Sequence, residues 1–371
     1  MKKMIAALIL AFALLLTGCA TAPGSVSPSP SETVSPSPSP SALAQPSAPT
    51  GADELSVSDY FPFKPDVYMS YQGMGMEFAG FESWVDYIGN DAIQIRTNNT
   101  GTEMIEVYTV EGGALKKVFS LGEGYYRYDF TAEREMNEIV IMEPIAVGTT
   151  WQLEDGTTRR ITATDADVTV PYGTFNALEV TTDYENSTTK DYYVPGLGLV
   201  KSEFTTKETP PYVVTSDLEK YEEGNPLSEN ARFYYPDFNN DRLAYINQSV
   251  EFYTGDSFLP KLEEVFKNPP ADSELSRVMT DGASIRSLTF DNSTGVVTVD
   301  FNKEFVTEMN AGAGLEGMIL SSIANTLGAY FQTDKVQLTL EGGPYESGHM
   351  LFNLGDYLPV NLEDAVEYQN P

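Results

Sequence analysis

Hydrophobic and polar positions divide the 371-residue chain into stretches of different period. Residues 5–16 form a nearly unbroken apolar run, IAALILAFALLL, behind Lys2 and Lys3. The run is too short for a spanning helix, which needs about 20 residues, and has the length of a signal-peptide core. Residues 20–58 have no apolar period, carry almost no charge and repeat Ser-Pro, as in SVSPSPSETVSPSPSPSALAQPSAP. Each proline biases the residue before it away from helix. The stretch therefore reads as a semi-extended spacer, whose roughly 40 residues reach at most ~120 Å at ~3.1 Å each.

Between Tyr60 and Tyr221 short alternating or β-branched runs recur between turn signals. Residues 82–88 precede Gly89-Asn90-Asp91, residues 104–110 precede Glu111-Gly112-Gly113, and residues 115–121 precede Gly122-Glu123-Gly124. Further runs cover 92–96, 161–170, 175–184, 191–194 and 199–204. This spacing predicts an antiparallel meander, and no long 3.6-residue period interrupts it, so helix is expected to be scarce.

The period changes again after Leu227. Strands are predicted at 231–236 and 243–252 around the polar turn 237–241, and at 284–290 and 296–301 around 291–295, with a last one at 336–340. Phe258, Leu259, Leu262, Val265 and Phe266 share one helical face, with Asp256 or Ser257 to cap it and Lys267 before Pro269 to stop it. A second helix is predicted from near Gly314, with Leu315, Met318, Ile319, Ile323, Thr326, Leu327 and Tyr330 as its apolar stripe. The expected organisation is a signal peptide at 1–18, a spacer at 19–59, an all-β antiparallel meander at 60–221, a small α+β domain at 227–357 and an acidic tail at 358–371. The chain is thus α+β overall. The segment 227–357 holds enough elements for a core of its own, and strand 231–235 is expected at a sheet edge, free to accept a partner's strand.

Charge and chemistry narrow the function. Lys and Arg number 22 against 54 Asp and Glu, a formal charge of −32, which excludes nucleic acid and other polyanions as partners. Cys19 is the only cysteine and His349 the only histidine, so no disulfide and no zinc site of the usual His/Cys kind can be built. His349 stands in the turn-like Ser347-Gly348-His349, with no nucleophile elbow near it. Asp237, Asn239 and Asp241 match the first ligand positions of an EF-hand loop, but Arg242 and Gln248 stand where Gly and Glu are required, so a polar hairpin turn is expected. Gly312-Ala313-Gly314 lacks a P-loop Lys-Ser/Thr and reads as the start of a helix. No carboxylate pair stands out. The expectation is a non-enzyme with no catalytic residues, metal or cofactor.

Three stretches carry resemblances. Leu16-Thr17-Gly18-Cys19 resembles the lipobox of bacterial lipoproteins. That resemblance implies cleavage before Cys19, recognition of Leu16, Thr17 and Gly18 by the signal peptidase, and acyl chains such as palmitate on Cys19, holding the protein at the outer face of the cell membrane. Val147-Gly148-Thr149-Thr150-Trp151, Pro171-Tyr172-Gly173-Thr174-Phe175 and the stretch 192–201 resemble a β-rich module of exported Gram-positive lipoproteins. Its Gly and Pro residues suit the corners of a curved sheet and its aromatics a concave face. A ligand held against aromatics such as Tyr125, Tyr126 and Tyr128 is the functional alternative. The stretches FYYPDFNNDRLAY, LPKLEEVFKNPP, DGASIRSLTFDNSTGVVTVDFNKEF and GAGLEGMILSSIANTLGAYFQTDKVQLTLEGG, with Glu316, resemble the GerMN domain of sporulation and germination lipoproteins. Residues 244–248 and Asn268-Pro269-Pro270 depart from that family's pattern. The resemblance implies a non-enzymatic binding or scaffold factor in an envelope assembly, with an envelope protein as partner. An alternative is a lipoprotein whose β-domain captures a glycan, peptide or lipid, favoured by a deep aromatic cavity there. A weaker alternative is a carboxylate-dependent wall hydrolase, favoured by facing carboxylates in a cleft with one pKa raised.

Overall fold

The structure, a computed structural model, describes residues 55–271 and 273–369. Leu16, Thr17, Gly18 and Cys19, the expected signal peptide and most of the expected spacer lie outside the described residues. Thr50–Pro371 forms one compact unit. The chain is mostly β.

Ordered packing begins before the expected end of the spacer at residue 59. Helix α1 (Val57–Tyr60) opens with Ser56, whose N–H and hydroxyl both donate to Asp59 Oδ2 at 2.8 Å. Val57 and Tyr60 are buried beside Leu115 and Trp151. Two apolar residues one turn apart suffice to fasten the segment, too weak a signal to rise above the surrounding Ser/Pro composition.

Twelve strands follow: β1 (Val67–Met74), β2 (Phe81–Ile88), β3 (Ala92–Asn98), β4 (Glu103–Glu111), β5 (Ala114–Gly122), β6 (Glu138–Met142), β7 (Thr150–Gln152), β8 (Thr158–Val170), β9 (Gly173–Asp183), β10 (Ser187–Val194), β11 (Gly198–Thr206) and β12 (Val213–Glu223). They form one antiparallel sheet in the order β6-β5-β4-β3-β2-β1-β12-β11-β10-β9-β8-β7. The predicted meander is present, and β12 returns to β1, with Val67 opposite Glu223. The two outer strands then meet through side chains: Trp151 Nε1 donates to Ile139 O at 3.0 Å, Arg159 Nη1 to the same carbonyl at 2.7 Å and Arg159 Nη2 to Glu138 at 3.0 Å. The sheet is barrel-like, closed at this seam by Trp151 and Arg159.

The resemblance motifs fall at its corners and seam. Gly112 and Gly113, both at positive φ, make the two-residue turn between β4 and β5, the geometry that type I′ hairpins require. Gly196 and Gly198 also take positive φ, at the three-residue connection after β10, where Gly196 N donates to Asp59 O.

The C-terminal half is built from β13 (Leu227–Asp237), β14 (Arg242–Phe252), helix α2 (Phe258–Lys267), β15 (Ile285–Asp291), β16 (Val296–Phe301), the short helix α3 (Glu304–Thr307), helix α4 (Ala313–Tyr330), β17 (Lys335–Leu340), β18 (Gly343–Glu346), β19 (Leu351–Phe352) and β20 (Val366–Glu367). β13 and β14 form a long hairpin, and β16 and β17 run parallel with α4 between them in sequence. The 237–241 stretch is the expected polar turn: Asp237 accepts from Asn240 Nδ2 at 2.8 Å and from Arg242 Nε at 2.9 Å, and Asp241 adopts a left-handed conformation. Helix α2 has Ser257 at its N-cap position, without a side-chain capping bond; Asp256 instead accepts from Tyr253 N.

Four expectations need correction here. Strand β13 is an edge strand by order, yet its edge is not free. Tyr234 N donates to Thr326 Oγ1 of α4 at 3.0 Å, Ser276 N donates to Pro236 O at 2.8 Å, and Phe233, Tyr234 and Tyr235 are fully buried. Covering an edge with a helix removes its unpaired groups from competition. Helix α4 is buried on most sides rather than along one stripe: Glu316, Ser322, Asn325 and Thr326 are buried, each with a hydrogen-bond partner. The acidic tail belongs to the fold through residue 368: Leu358 is buried and pairs with Val336, Asn361 exchanges hydrogen bonds with Asn325, and β20 adds to β14. Finally, the core of 227–357 does not stop at its own boundary. Phe119, Tyr126 and Phe130 of the barrel-like half join Phe258, Phe290 and Phe331 in one cluster, with ring centroids of Tyr126 4.9 Å from Phe290 and 5.4 Å from Phe331.

Candidate functional site

The two halves meet over charges that have left water. Asp86, on the outer face of β2, is fully buried between two guanidinium groups. Arg96 of β3 donates from Nε to Asp86 Oδ2 at 3.1 Å, from Nη1 to Glu103 at 2.8 Å and to Gly124 O, and from Nη2 to Tyr126 O at 2.8 Å. Arg127 donates from Nη1 to Asp86 Oδ1 at 2.8 Å, from Nη2 to Asp86 O at 2.8 Å and Tyr253 O at 2.7 Å, and from Nε to Asp256 O at 2.7 Å. Its guanidinium also lies 4.8 Å from the Tyr87 ring and 5.0 Å from the Phe252 ring. A buried charge is tolerated only when paired and hydrogen-bonded; here two cations meet two carboxylates, Asp86 and Glu103.

Glu229 of β13 is one carboxylate more than this balance needs. Its Oε2 accepts from the Tyr330 hydroxyl at 3.0 Å, and that hydroxyl accepts from Arg127 N at 3.0 Å. Its Oε1 is shielded from solvent with no hydrogen-bond partner. Burial pushes the Glu229 carboxyl up to about 6, with Asp86 adding to the rise and Arg96 and the Tyr330 hydroxyl opposing it. Burial and the neighbouring Glu229 hold the Tyr330 phenol well above its ordinary value, so it stays a donor.

Glu229 and Tyr330 face a cleft of about 670 Å³ whose opposite wall is the outer face of β1 and β2. Tyr68, Trp84 and Tyr125 supply aromatic surface, and Glu82, Glu103 and Glu222 supply carboxylates. Tyr68 and Trp84 lie with ring centroids 5.2 Å apart, and the Tyr68 hydroxyl donates to Glu82 at 2.5 Å. Neither half forms this cleft alone.

Of the aromatics singled out on sequence, only Tyr125 faces the cleft; Tyr126 and Tyr128 pack against Phe290 in the joint instead. Sequence reasoning missed Trp84, Tyr68, Glu229 and the Asp86–Arg96–Arg127 cluster. The one signal available was Gln94 and Arg96 at alternate positions in an otherwise apolar strand. His349 is exposed on the turn before β19. Glu316 lies buried in the first turn of α4, where it accepts from the Tyr345 hydroxyl at 2.7 Å, a structural contact away from the cleft. Among the described residues, no group of three or more His, Cys, Asp or Glu is placed to hold a metal ion, and no helix is long and apolar enough to cross a membrane.

Known proteins match parts of the chain. No curated protein matches the sequence. Similar solved structures include the tandem GerMN domains of the sporulation protein GerM from Bacillus subtilis, at 20% identity over 38% of this chain and 48% of that chain, with a TM-score of 0.26. An exported protein from Bacteroides fragilis, described as having a YmcC-like fold, matches at 13% identity over 44% of this chain and 99% of that chain, with a TM-score of 0.28. A protein from Clostridium perfringens described as a lipoprotein matches at 16% identity over 37% of this chain and 94% of that chain, with a TM-score of 0.23. Residues 232–346 match the Germane family, described as sporulation and spore germination, so the segment that resembles GerMN on sequence carries a Germane domain.

Proposed function

We propose that this protein is a lipid-anchored, extracytoplasmic binding factor that serves an envelope assembly of sporulation or germination, and that it works without catalysing a reaction. The Germane match at 232–346 supplies the biological setting. The single observation that carries the mode of action is the cleft at the joint: a C-terminal wall of Glu229 and Tyr330 faces a barrel-side wall of Tyr68, Trp84 and Tyr125. Aromatic surface with a few polar groups at a junction of two parts is the usual anatomy of a binding site. Cys19 would hold this body at the membrane, and the spacer would carry it outward.

The test is photocrosslinking in intact cells from a benzoylphenylalanine placed at Tyr125, with a second probe at the exposed Tyr184 on the barrel-like half. The expected result is an envelope partner captured from Tyr125 and not from Tyr184, in sporulating or germinating cells. Equal capture from both positions, or capture in growing cells only, overturns the reading.

A carbohydrate occupant is the second reading, favoured by the Trp84–Tyr68 pair beside several carboxylates and by the Glu229 pKa near 6, the range of a general acid. Release of reducing ends from cell-wall glycan by the protein, lost in Glu229→Gln, would move the protein to the hydrolases.

A further inference from the structure

Inside the barrel-like sheet lies a second opening, a cavity of about 160 Å³ on the concave face of β1 to β4. Its wall follows the two-residue period of the strands: Val67, Met69 and Tyr71 of β1, Phe81, Ser83 and Val85 of β2, and Ile93, Ile95 and Thr97 of β3. Phe61, Pro62 and Leu199 cover it. Ile93 is buried, yet Met69, Phe81, Val85, Ile95 and Leu199 keep accessible surface, as expected of residues lining a space that neighbours have not filled. A dry apolar cavity near this size holds an occupant of benzene size, about six carbons.

Two ionisable side chains other than tyrosine reach this lining, and they differ. Glu106 is already neutralised, accepting from Lys117 Nζ at 3.1 Å and from the Tyr108 hydroxyl at 2.8 Å. Lys64 is half-exposed and held loosely: it donates to Gly196 O at 3.1 Å and to the Tyr221 hydroxyl at 3.4 Å, and stands 3.5 Å from an exposed Glu223 carboxylate. Its exposure puts the ammonium at the opening of the cavity. An ammonium beside an apolar hole suits an anion with a hydrocarbon tail, its local attraction acting against the overall charge of −32.

We propose that this cavity binds the carboxylate end and first carbons of an aliphatic acid, a fatty acid or a related acyl carboxylate, with the carboxylate displacing Glu223 from Lys64 and the chain entering between Met69, Phe81 and Ile95. The site is separate from the cleft at the joint and stands whether or not that cleft binds a partner.

The test uses the compact unit Thr50–Pro371 with ¹³C-labelled methyl groups, titrated with octanoate and, in parallel, with octanol. Octanoate is expected to shift the methyl resonances of Met69, Val85, Ile93 and Ile95, leaving those of Ile319 and Ile323 in place. Lys64→Gln should weaken octanoate by about threefold to fivefold, the range of a half-exposed ion pair, and leave octanol unchanged. Ile95→Phe, which fills the cavity, should abolish both. If Ile95→Phe fails to fold, the Lys64→Gln comparison still decides. Absence of methyl shifts with octanoate overturns the proposal, and so does a Lys64→Gln variant that binds octanoate as tightly as the wild type.

Discussion

Strands β2, β3 and β4 carry apolar side chains on both faces, and the molecule treats the two faces in opposite ways. The outer face is filled where the C-terminal half packs on it, beyond the cleft. Ala92, Ile105 and Val107 pack into the cluster shared with the C-terminal half, and Asp86, Gln94 and Arg96 have their hydrogen-bonding groups engaged. The inner face is left open: Val85, Ile95 and Thr97 border a cavity, with accessible surface remaining. Dense packing and paired charges fix one geometry, whereas an unfilled apolar space keeps room for an occupant. The joint is therefore the rigid element of this body, and the two openings, cleft and cavity, are where it can respond to something else.

The contrast is broken most severely at Asp86. Asp86→Ala leaves Arg96 and Arg127 buried without their shared carboxylate, and removal of one partner of a buried ion network costs about 3–5 kcal/mol. A urea-unfolding curve should show a loss of that size; a loss under ~1 kcal/mol would mean that water reaches the two guanidinium groups and that the joint is not dry.

Glu229 gives a smaller effect with a defined sign. Its carboxyl is raised from 4.5 to about 6 in the folded protein, so the folded state holds this proton more tightly than the unfolded chain does. Stability from this group is fully present below about pH 4.5 and is lost as pH rises to about 6, a difference of ~2 kcal/mol at 1.36 kcal/mol per unit. Glu229→Gln should therefore stabilise the protein by about 2 kcal/mol at pH 7 and hardly at all at pH 4. Thermal unfolding at the two pH values reads this directly. Equal shifts at both would place the effect in packing rather than in charge.

The smallest difference sharpens the comparison between faces. Ile105→Val, on the fully buried outer face, should cost about 1 kcal/mol or slightly more, whereas Ile95→Val, on the half-empty inner face, should cost less than ~0.5 kcal/mol. The two variants differ in place and not in chemistry, so denaturation midpoints that coincide would show the inner face to be as tightly packed as the outer.

Much of the local structure is legible along the chain. β16 spans its expected residues, α2 ends at Lys267 before the Asn-Pro-Pro, and the hairpins fall at Gly112-Gly113 and Gly196, where positive φ favours glycine. Among the strands that escaped notice, β1 and β12 are the pair that joins the two runs of the meander. β12 reads as charged because its Glu219, Lys220, Glu222 and Glu223 face solvent, and a strand with one solvated face and few apolar residues has little periodic signal. Without that pair in view, the sheet reads as an open, curved meander and not as a barrel.

What the sequence by itself determined is local: where turns fall, and which runs alternate with a period of two or of 3.6. These follow from backbone sterics and from periods shorter than one element. Only the tertiary structure decided that Trp151 and Arg159 close the sheet, that Arg127 reaches Asp86 across 41 residues and that Tyr330 reaches Glu229 across 101. Such pairings depend on how whole elements stack once their apolar faces have been buried. The cleft and the cavity are spaces left between elements, and no pattern within one element encodes them.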